Sequence, residues 1–284
     1  MATLRDIKRR IRSVRSTQQI TKAMEMVAAA KLRRSQNRVI AARPYAQGMD
    51  EMLENLSFAA AEVGHPLFTQ RPVATRLLVV FTADRGLCGA YNAGLLRQCE
   101  QFLRGPEGGS IRLFLIGRKA REYFRRRSYP VAGSMTDLPG EANLEFAQGL
   151  SDRLQEYFLS GEVDGVDLLF TRFLSIMSRR IEREPYLPIA PREAKPGTTR
   201  NYIFEPQAGT LLSELLPRYA TTKILQALLE SQASEHAARM VAMQSAHKNA
   251  GEMIDHLVLT RNRLRQATIT KEISEIVGGA EALK

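Results

Sequence analysis

Apolar residues recur in alternating steps of four and three along both ends of the chain. At the N-terminal end the repeat runs through Leu4, Ile7, Ile11, Val14, Ala28, Leu32, Val39, Ala42, Ala46, Met49, Leu53 and Leu56. At the C-terminal end it runs through Leu229, Ala233, Met240, Met243, Ala250, Ile254, Leu257 and Leu264. A period of about 3.5 residues held over this length predicts helices that supercoil about each other, not helices wrapped on a globule. Residues 3–57 and 211–277 carry the helical pattern, and at about 1.5 Å per residue each helix would extend roughly 80–100 Å. Both seams have polar interruptions: Gln18, Thr21, Glu25 and Ser35 in the first, His236, His247, Arg261 and Thr268 in the second. Such residues fix register and lower stability. The pattern therefore fits either a hairpin with solvated seam positions or a rod enclosed by other protein, whose surfaces satisfy the polar groups.

Between the two repeats the period changes. Arg76–Phe81 reads as a buried strand and Thr82–Gly89 as a loop, with a helix over Asn92–Leu103. Ile111–Ile116, Pro130–Ala132, Val166–Phe173, Ile181–Leu187 and Tyr202–Phe204 read as further strands. Arg118–Arg127 and Asn143–Leu159 read as helices, and Pro188–Thr199 as a loop. Strands alternating with helices predict a mostly parallel sheet with helices on its faces. Thr3 is the expected N-cap of the first helix, Pro44 a kink or short break within it, and Gly64-His65-Pro66 the end of the element. Pro217 is expected in the first turns of the last helix, and Gly278-Gly279 as its stop. The fold class expected is α/β. An antiparallel coiled coil of the long N- and C-terminal helices (residues 1–62 and 210–284) joins a central Rossmann-like domain (residues 75–206).

Charge adds a direction to this picture. The formal net charge is +11, from 41 basic and 30 acidic residues. Between Met1 and Arg43 lie twelve Lys and Arg residues opposed only by Asp6 and Glu25, which accounts for nearly the whole excess. A basic stripe along one helix calls for an acidic partner: nucleic acid, anionic lipid or an acidic protein surface. Readers of single-stranded nucleic acid interleave aromatic residues for stacking, and this stripe has none before Tyr45. Basic zippers set their basic block beside an uninterrupted leucine seam, whereas here basic and seam residues share the same turns. The apolar face lacks the Trp and Phe that anchor a helix at a lipid surface. No stretch approaches the roughly 20 apolar residues of a membrane span. The Arg-rich start continues the heptad and is read as part of the structural helix, not as a targeting segment.

Candidate chemistry is sparse. Cys88 and Cys99 are read as free thiols of a reducing compartment. His65, His236, His247 and His256 show no metal-ligand spacing. The loop Asp84-Arg85-Gly86-Leu87-Cys88-Gly89 follows a strand, as a phosphate loop would. It matches neither GxGxxG nor GxxxxGK[ST], and no lysine is placed to cradle phosphate. No catalytic, cofactor-binding or metal-ligating set is expected.

Several segments together carry a resemblance. They are Ile20-Thr21-Lys22-Ala23-Met24-Glu25-Met26-Val27-Ala28-Ala29-Ala30-Lys31, Ala42-Arg43-Pro44-Tyr45, the Asp84–Gly89 loop, Ser234–Met243, and Asn262–Ala267 with Ile269-Thr270 and Glu275-Ile276-Val277. In this order, over nearly the whole chain, the sequence closely resembles the gamma subunit, the central rotor shaft, of F-type ATP synthases. The resemblance implies a terminal coiled coil inserted into a hexamer of alpha and beta subunits. It implies a central foot domain bound to the epsilon subunit and seated on the c-subunit ring. It implies a non-catalytic subunit that couples ion-driven rotation of the ring to sequential conformational change at the beta subunits. ATP, ADP and Mg would be held by the alpha and beta subunits, none by this chain. Nucleic acid would not be a partner, and the membrane only through the complex, on the cytoplasmic face of a bacterial inner membrane. Arg265, Gln266, Thr270, Met24, Arg33 and Arg34 would face the beta subunits, with the Arg265–Gln266 pair hydrogen-bonding a beta loop in one rotational state only. Tyr202, Phe204 and Glu205 would contact epsilon and ring. Phe204 stands where the family often has tyrosine, so this chain offers no hydroxyl at that position. The chloroplast type's redox cysteine pair has no counterpart at Lys195–Arg200. Two other classes remain open on the residues alone: a basic coiled-coil nucleic-acid binder, and a nucleotide-dependent enzyme acting through the central domain.

Overall fold

The computed structural model describes residues 3–60, 65–106, 108–190 and 208–281. Helix α1 spans Leu4–Ala60 and opens on a reciprocal cap. The Thr3 hydroxyl oxygen accepts from the Asp6 amide at 3.3 Å, and the Asp6 carboxylate accepts from the Thr3 amide at 3.2 Å and its hydroxyl at 2.8 Å. This satisfies two donors that a helix start otherwise leaves open. The Thr3 bonds hold the Asp6 carboxyl below the usual carboxylate range.

The expected break at Pro44 is absent, and α1 runs through it. Proline deprives the Ile40 carbonyl of its ladder donor. Ile40, Arg43, Pro44 and Tyr45 are all exposed, so water can serve that carbonyl. Helix α5, the last, spans Ala208–Glu281, so Pro217 lies well inside it and not in the first turns. The same reason holds: Ser213 and Pro217 both face solvent. Gly278-Gly279 does not stop α5 either. Glycine weakens a helix, but ends one only where a left-handed cap follows.

The strands are β1 (Arg76–Phe81), β2 (Ile111–Ile116), β3 (Val131–Met135), β4 (Gly165–Phe173) and β5 (Arg179–Leu187). Their order is β3-β2-β1-β4-β5. The first four are parallel, and β5 closes one edge antiparallel to β4 through the hairpin at residues 174–178. Helices α2 (Tyr91–Arg104), α3 (Arg118–Phe124) and α4 (Leu144–Leu159) make the crossovers. Asn143 caps α4, accepting from the Phe146 amide at 2.9 Å. Helix α3 is shorter than expected: its last turn tightens where the Arg127 amide donates to Phe124, and residues before Pro130 are biased to extended backbone. Strand β3 accordingly reaches Met135, longer than expected. The predicted strand Tyr202–Phe204 and most of the predicted 188–199 loop lie outside the described residues.

The sheet core follows from the alternation of its strands. Leu78, Val80, Leu113, Leu115 and Leu169 pack with Leu95, Leu96, Cys99 and Leu103 of α2 and with Ala120 and Phe124 of α3. On the other face Phe114 meets Tyr157 of α4 edge-on, with ring centroids 6.0 Å apart. Asp167, buried in β4, is paired from both sides, by Arg76 at 2.8 Å and Arg183 at 2.6 Å. Gly117 has φ 92°, and a Cβ there would lie 2.3 Å from the Thr82 carbonyl oxygen, so this crossing of β2 onto the β1 loop admits only glycine.

The chain separates into two compact units, residues 29–239 and residues 1–28 with 240–284. In the second, Ile7, Ile11 and Ala28 of α1 are buried, as are Met243, Ala250 and Ile254 of α5. His247 donates from Nδ1 to the Gln18 carbonyl at 3.1 Å, the tautomer a carbonyl acceptor requires. Thr21 donates to the same carbonyl at 2.9 Å, and Glu25 pairs with Lys22 at 3.3 Å. These three seam groups find partners inside the chain.

Candidate functional site

In a doubly wound sheet, ligands bind beyond the carboxyl ends of the strands where the strand order reverses. Here that point lies between β1 and β4, which are adjacent in the sheet but separated in sequence by β2 and β3. The loop after β1 is closed by its own side chains. The Ala83 amide donates to Asn92 Oδ1 at 3.0 Å, and Asn92 Nδ2 donates to Cys88 Sγ at 3.1 Å. Asp84 accepts from the Arg118 amide at 2.8 Å with one oxygen and from the Leu138 amide at 2.6 Å with the other. Its carboxylate thus faces the start of α3, where negative charge is favoured. Leu87 and Gly89 turn the chain at φ 61° and 57°.

The crevice itself is filled by α5. Arg239 donates to the Gly86 carbonyl at 3.2 Å and the Arg85 carbonyl at 3.4 Å, and pairs with Glu235 at 2.7 Å. Ser234 donates to the Thr171 carbonyl at 3.0 Å. Glu230 accepts from the Phe173 amide at 2.9 Å and from Arg43 of α1 at 3.3 Å. A cavity of about 20 Å³ remains among Phe81, Thr82, Tyr91, Ile116, Leu228 and Glu235, room for no more than a water. This explains physically why the Asp84–Gly89 and Ser234–Met243 segments match together: one is the socket and the other the plug. A nucleotide-dependent activity in this crevice is thereby disfavoured.

Burial sets the electrostatics here. It raises the Cys88 thiol above its ordinary value, against the pull of Arg239, and raises the Glu235 carboxyl in the same way. It drives the His236 imidazole down to about 4, helped by the positive charges of Arg239 and Lys31. Burial raises the Cys99 thiol to about 12. Both cysteines are unbridged. A thiol so placed is a poor nucleophile. Among the described residues no cluster of His, Cys, Asp or Glu is arranged to hold a metal ion, and no helix is long and apolar enough to cross a membrane.

The basic stripe of α1 divides into two kinds of residue. Arg9 pairs with Asp6 at 2.9 Å, Arg38 and more loosely Arg34 with Glu141, and Arg43 with Glu230. Arg12, Arg15, Lys31 and Arg33 form no ion pair among the described residues and stand in solvent. Of the residues expected to meet a partner, Arg33 and Arg34 are exposed on α1, and Met24 is half-buried there. Arg265, Gln266 and Thr270 are exposed on α5, in a stretch (265–278) where every side chain is exposed, Ile269, Ile273, Ile276 and Val277 included. Tyr202, Phe204 and Glu205 lie outside the described residues. Sequence reasoning did not single out Glu230, whose only signal was an acidic residue set among Leu228, Leu229 and Ala233. Asp84 and Arg239 lay in matched segments, but nothing in sequence paired them with their partners.

The sequence model of a family described as ATP synthase matches residues 3–283. The ATP synthase gamma chain of Moorella thermoacetica is 50% identical over 285 residues, and that of Desulforamulus reducens 48% over 287, each covering 100% of both chains. A chain of the central stalk and c-ring of the Tetrahymena thermophila mitochondrial ATP synthase superposes with TM-score 0.64 at 26% identity, over 80% of this chain and 99% of that one. A chain of the Euglena gracilis mitochondrial ATP synthase, in the OSCP/F1/c-ring assembly, reaches TM-score 0.74 over 99% of this chain and 94% of that one. At 18% identity it speaks to the fold alone.

Proposed function

We infer the function from one premise: the chain belongs to the ATP synthase gamma-chain family. It is the central-stalk rotor subunit of an F-type ATP synthase, and it couples rotation of the membrane ring to conformational change at the catalytic subunits. The observation within the molecule that best supports this reading is the bare end of α5. Residues 265–278 form regular helix with every side chain in solvent, four large aliphatic ones among them. An isolated helical stretch of that kind has little to hold it, because helices in proteins draw stability from packing. Its apolar residues have a use when a surrounding protein covers them.

The finer assignments rest on the same premise. The alpha and beta subunits would enclose the helical end and hold ATP, ADP and Mg. The sheet domain, with Tyr202, Phe204 and Glu205, would meet the epsilon subunit and the c-ring. The chain itself would catalyse nothing, and would sit at the cytoplasmic face of a bacterial membrane through the complex. The unpaired cations of α1 would face acidic groups of the beta subunits. The mechanism is conformational: a shaft without threefold symmetry, turning inside a threefold ring, makes different contacts with each beta subunit. Each contact favours one state of that subunit, and rotation passes the bias from one to the next. Reconstitution with purified alpha and beta subunits tests this. One copy of the chain per three alpha–beta pairs, and ATP-driven rotation of a probe fixed to it, are expected. ATP hydrolysis by the chain alone, or failure to enter the hexamer, would overturn the reading.

A further inference from the structure

Strand β4 outruns its parallel neighbour. The last β1 partner is Val80, opposite Leu169, yet β4 continues to Phe173. Beyond that point the Thr171 carbonyl and the Phe173 amide are the acceptor and donor that one further residue of a parallel strand would take up together. By register that residue would be Ala83, but the chain turns off there: the Ala83 amide donates to Asn92 Oδ1 at 3.0 Å and its carbonyl accepts from the Lys119 amide at 3.1 Å. Helix α5 supplies substitutes. The Ser234 hydroxyl takes the place of the missing N–H, donating to Thr171 at 3.0 Å. The Glu230 carboxylate takes the place of the missing C=O, accepting from Phe173 at 2.9 Å. Glu230 and Ser234 are four residues apart, one above the other on one helix face, as this imitation of a strand residue requires. The second Glu230 oxygen accepts from Arg43 of α1 at 3.3 Å. Glu230 is 2% exposed, so one buried carboxylate joins α1, α5 and the sheet.

We propose that Glu230, with Ser234 and Arg43, is the torsional clamp by which the sheet domain turns the helix pair. The proposal rests on the rotor reading above and adds where twist crosses from sheet to helices within residues 29–239. Apolar contacts between a helix and a sheet resist separation but are non-directional. Hydrogen bonds to fixed backbone groups at the end of a strand have a direction, and oppose sliding or rolling of α5 across the strand ends. A charge-assisted bond is the stronger kind, and the ion pair of Glu230 with Arg43 adds one to the bond from the Phe173 amide. These are positioning residues: they touch no substrate, and act through the alignment of the helices they hold.

The test uses complexes assembled with the full chain carrying Glu230→Gln, Glu230→Leu, Ser234→Ala or Arg43→Met. Three readings are taken. The first is ATP hydrolysis by the detached hexamer assembly, with no load on the sheet domain. The second is the angular spread of a probe fixed to the sheet domain while the hexamer is stalled. The third is ions pumped per ATP in the membrane complex. Unloaded hydrolysis is expected to stay at the wild-type rate. Angular variance should rise and pumping per ATP fall in the order Gln, then Leu, at Glu230. For Leu the loss is expected to be roughly fivefold or more, the population ratio that one lost hydrogen bond commands. Glu230→Gln keeps an acceptor for Phe173 and remains informative where the Leu variant fails to assemble. Unchanged angular variance in the Gln and Arg43→Met complexes would overturn the clamp, as would parallel loss of hydrolysis, pumping and thermal stability, the mark of a merely structural role. A wild-type complex that does not rotate would instead defeat the rotor reading itself.

Discussion

Residues 227–238 and residues 265–278 lie on one unbroken helix, yet they are under opposite constraints. Ten of the first twelve are buried, Ala233, Ser234 and Ala237 completely, and Glu230, Gln232 and Ser234 are bonded to backbone groups of strand ends and loops. All fourteen of the second group are exposed, with Ile276 at 72%. The first stretch is specified by its own chain, and the second is the one proposed to be covered by other chains. Helical periodicity cannot distinguish the two, because a surface to be covered later has the same apolar spacing as one covered already.

The sharpest way to break this comparison is to place the same charge in each stretch. Ala237→Glu puts a carboxylate where exposure is 0%, with no partner provided. A loss of about 4 kcal/mol or more is expected, enough to unfold most single domains. Ile273→Glu should leave the melting temperature of the isolated chain unchanged and weaken its entry into the hexamer. Comparable thermal losses for the two variants would show that the exposed stretch is packed in the free chain after all.

Arg239→Ala comes next in size. It strips two carbonyl contacts from the Arg85–Gly86 turn and leaves Glu235 beside an apolar pocket without its 2.7 Å partner. Removing one member of a largely buried pair costs roughly 2–4 kcal/mol. Glu235→Gln added to that variant should recover part of the loss, since a neutral amide tolerates burial better. Urea unfolding of the single and double variants measures it; a double variant less stable than Arg239→Ala would contradict the burial argument.

Acid gives a smaller, graded effect within the first stretch. The folded His236 imidazole sits at about 4, against 6.5 for an ordinary histidine, because burial and the nearby Arg239 and Lys31 disfavour its charge. Above pH 6.5 neither state holds the proton. As pH falls from 6.5 toward 4 the unfolded chain takes it up and the folded chain does not, so stability is lost across that window, on the order of 3 kcal/mol from this group. Glu235, whose folded carboxyl is raised by burial, works in the opposite sense. Comparing wild type with His236→Gln isolates the histidine. The stability difference between them should shrink steadily below pH 6.5, and a difference independent of pH would rule the imidazole out.

These two stretches also mark what the sequence makes legible. The strands β1, β2 and β4 were readable because buried parallel strands are near-continuous apolar runs with turn residues between them. The long helices were readable from their repeat. Proline misled at Pro44 and Pro217 because its effect depends on whether water can reach the freed carbonyl, which is a fact of exposure, and glycine misled at Gly278 because it ends a helix only where a left-handed cap follows. The seam residues Thr21 and His247 looked unsatisfied because their acceptor, the Gln18 carbonyl, is backbone and has no signature in sequence. Glu230 was hidden for the same reason: one of its two partners is the Phe173 amide, 57 residues away. Arg43 lay in the Ala42–Tyr45 segment that matched the family, but its ion pair with Glu230 spans 187 residues and only the fold brings it together. The residues proposed to meet partners were legible through family resemblance alone, since their proposed surroundings would lie on other chains.

The smallest effect on the chain's own stability is expected at Arg265 and Gln266. Both are exposed, and neither makes a hydrogen bond or ion pair among the described residues. Replacing both with alanine should shift the unfolding free energy by no more than about 0.5 kcal/mol, the range for surface positions away from caps and cores. It should even favour the helix slightly, because alanine has the higher propensity. In the assembled complex the expectation reverses. Arginine offers a planar fork of donors suited to a carboxylate or a pair of carbonyls, and glutamine an adjacent amide. If a beta-subunit loop accepts these bonds in one orientation of the shaft only, their loss removes a bias on one state and leaves the others untouched. ATP hydrolysis and ion pumping should then both fall about tenfold, the size of roughly 1.4 kcal/mol on one rotational step, while assembly and melting stay at wild-type values. Arg33→Ala, where neighbouring cations share the field, should do less. Wild-type turnover in the double variant would remove this pair from the mechanism. A large drop in its melting temperature would mean that residues 265–278 are held by the chain itself, against the contrast drawn here.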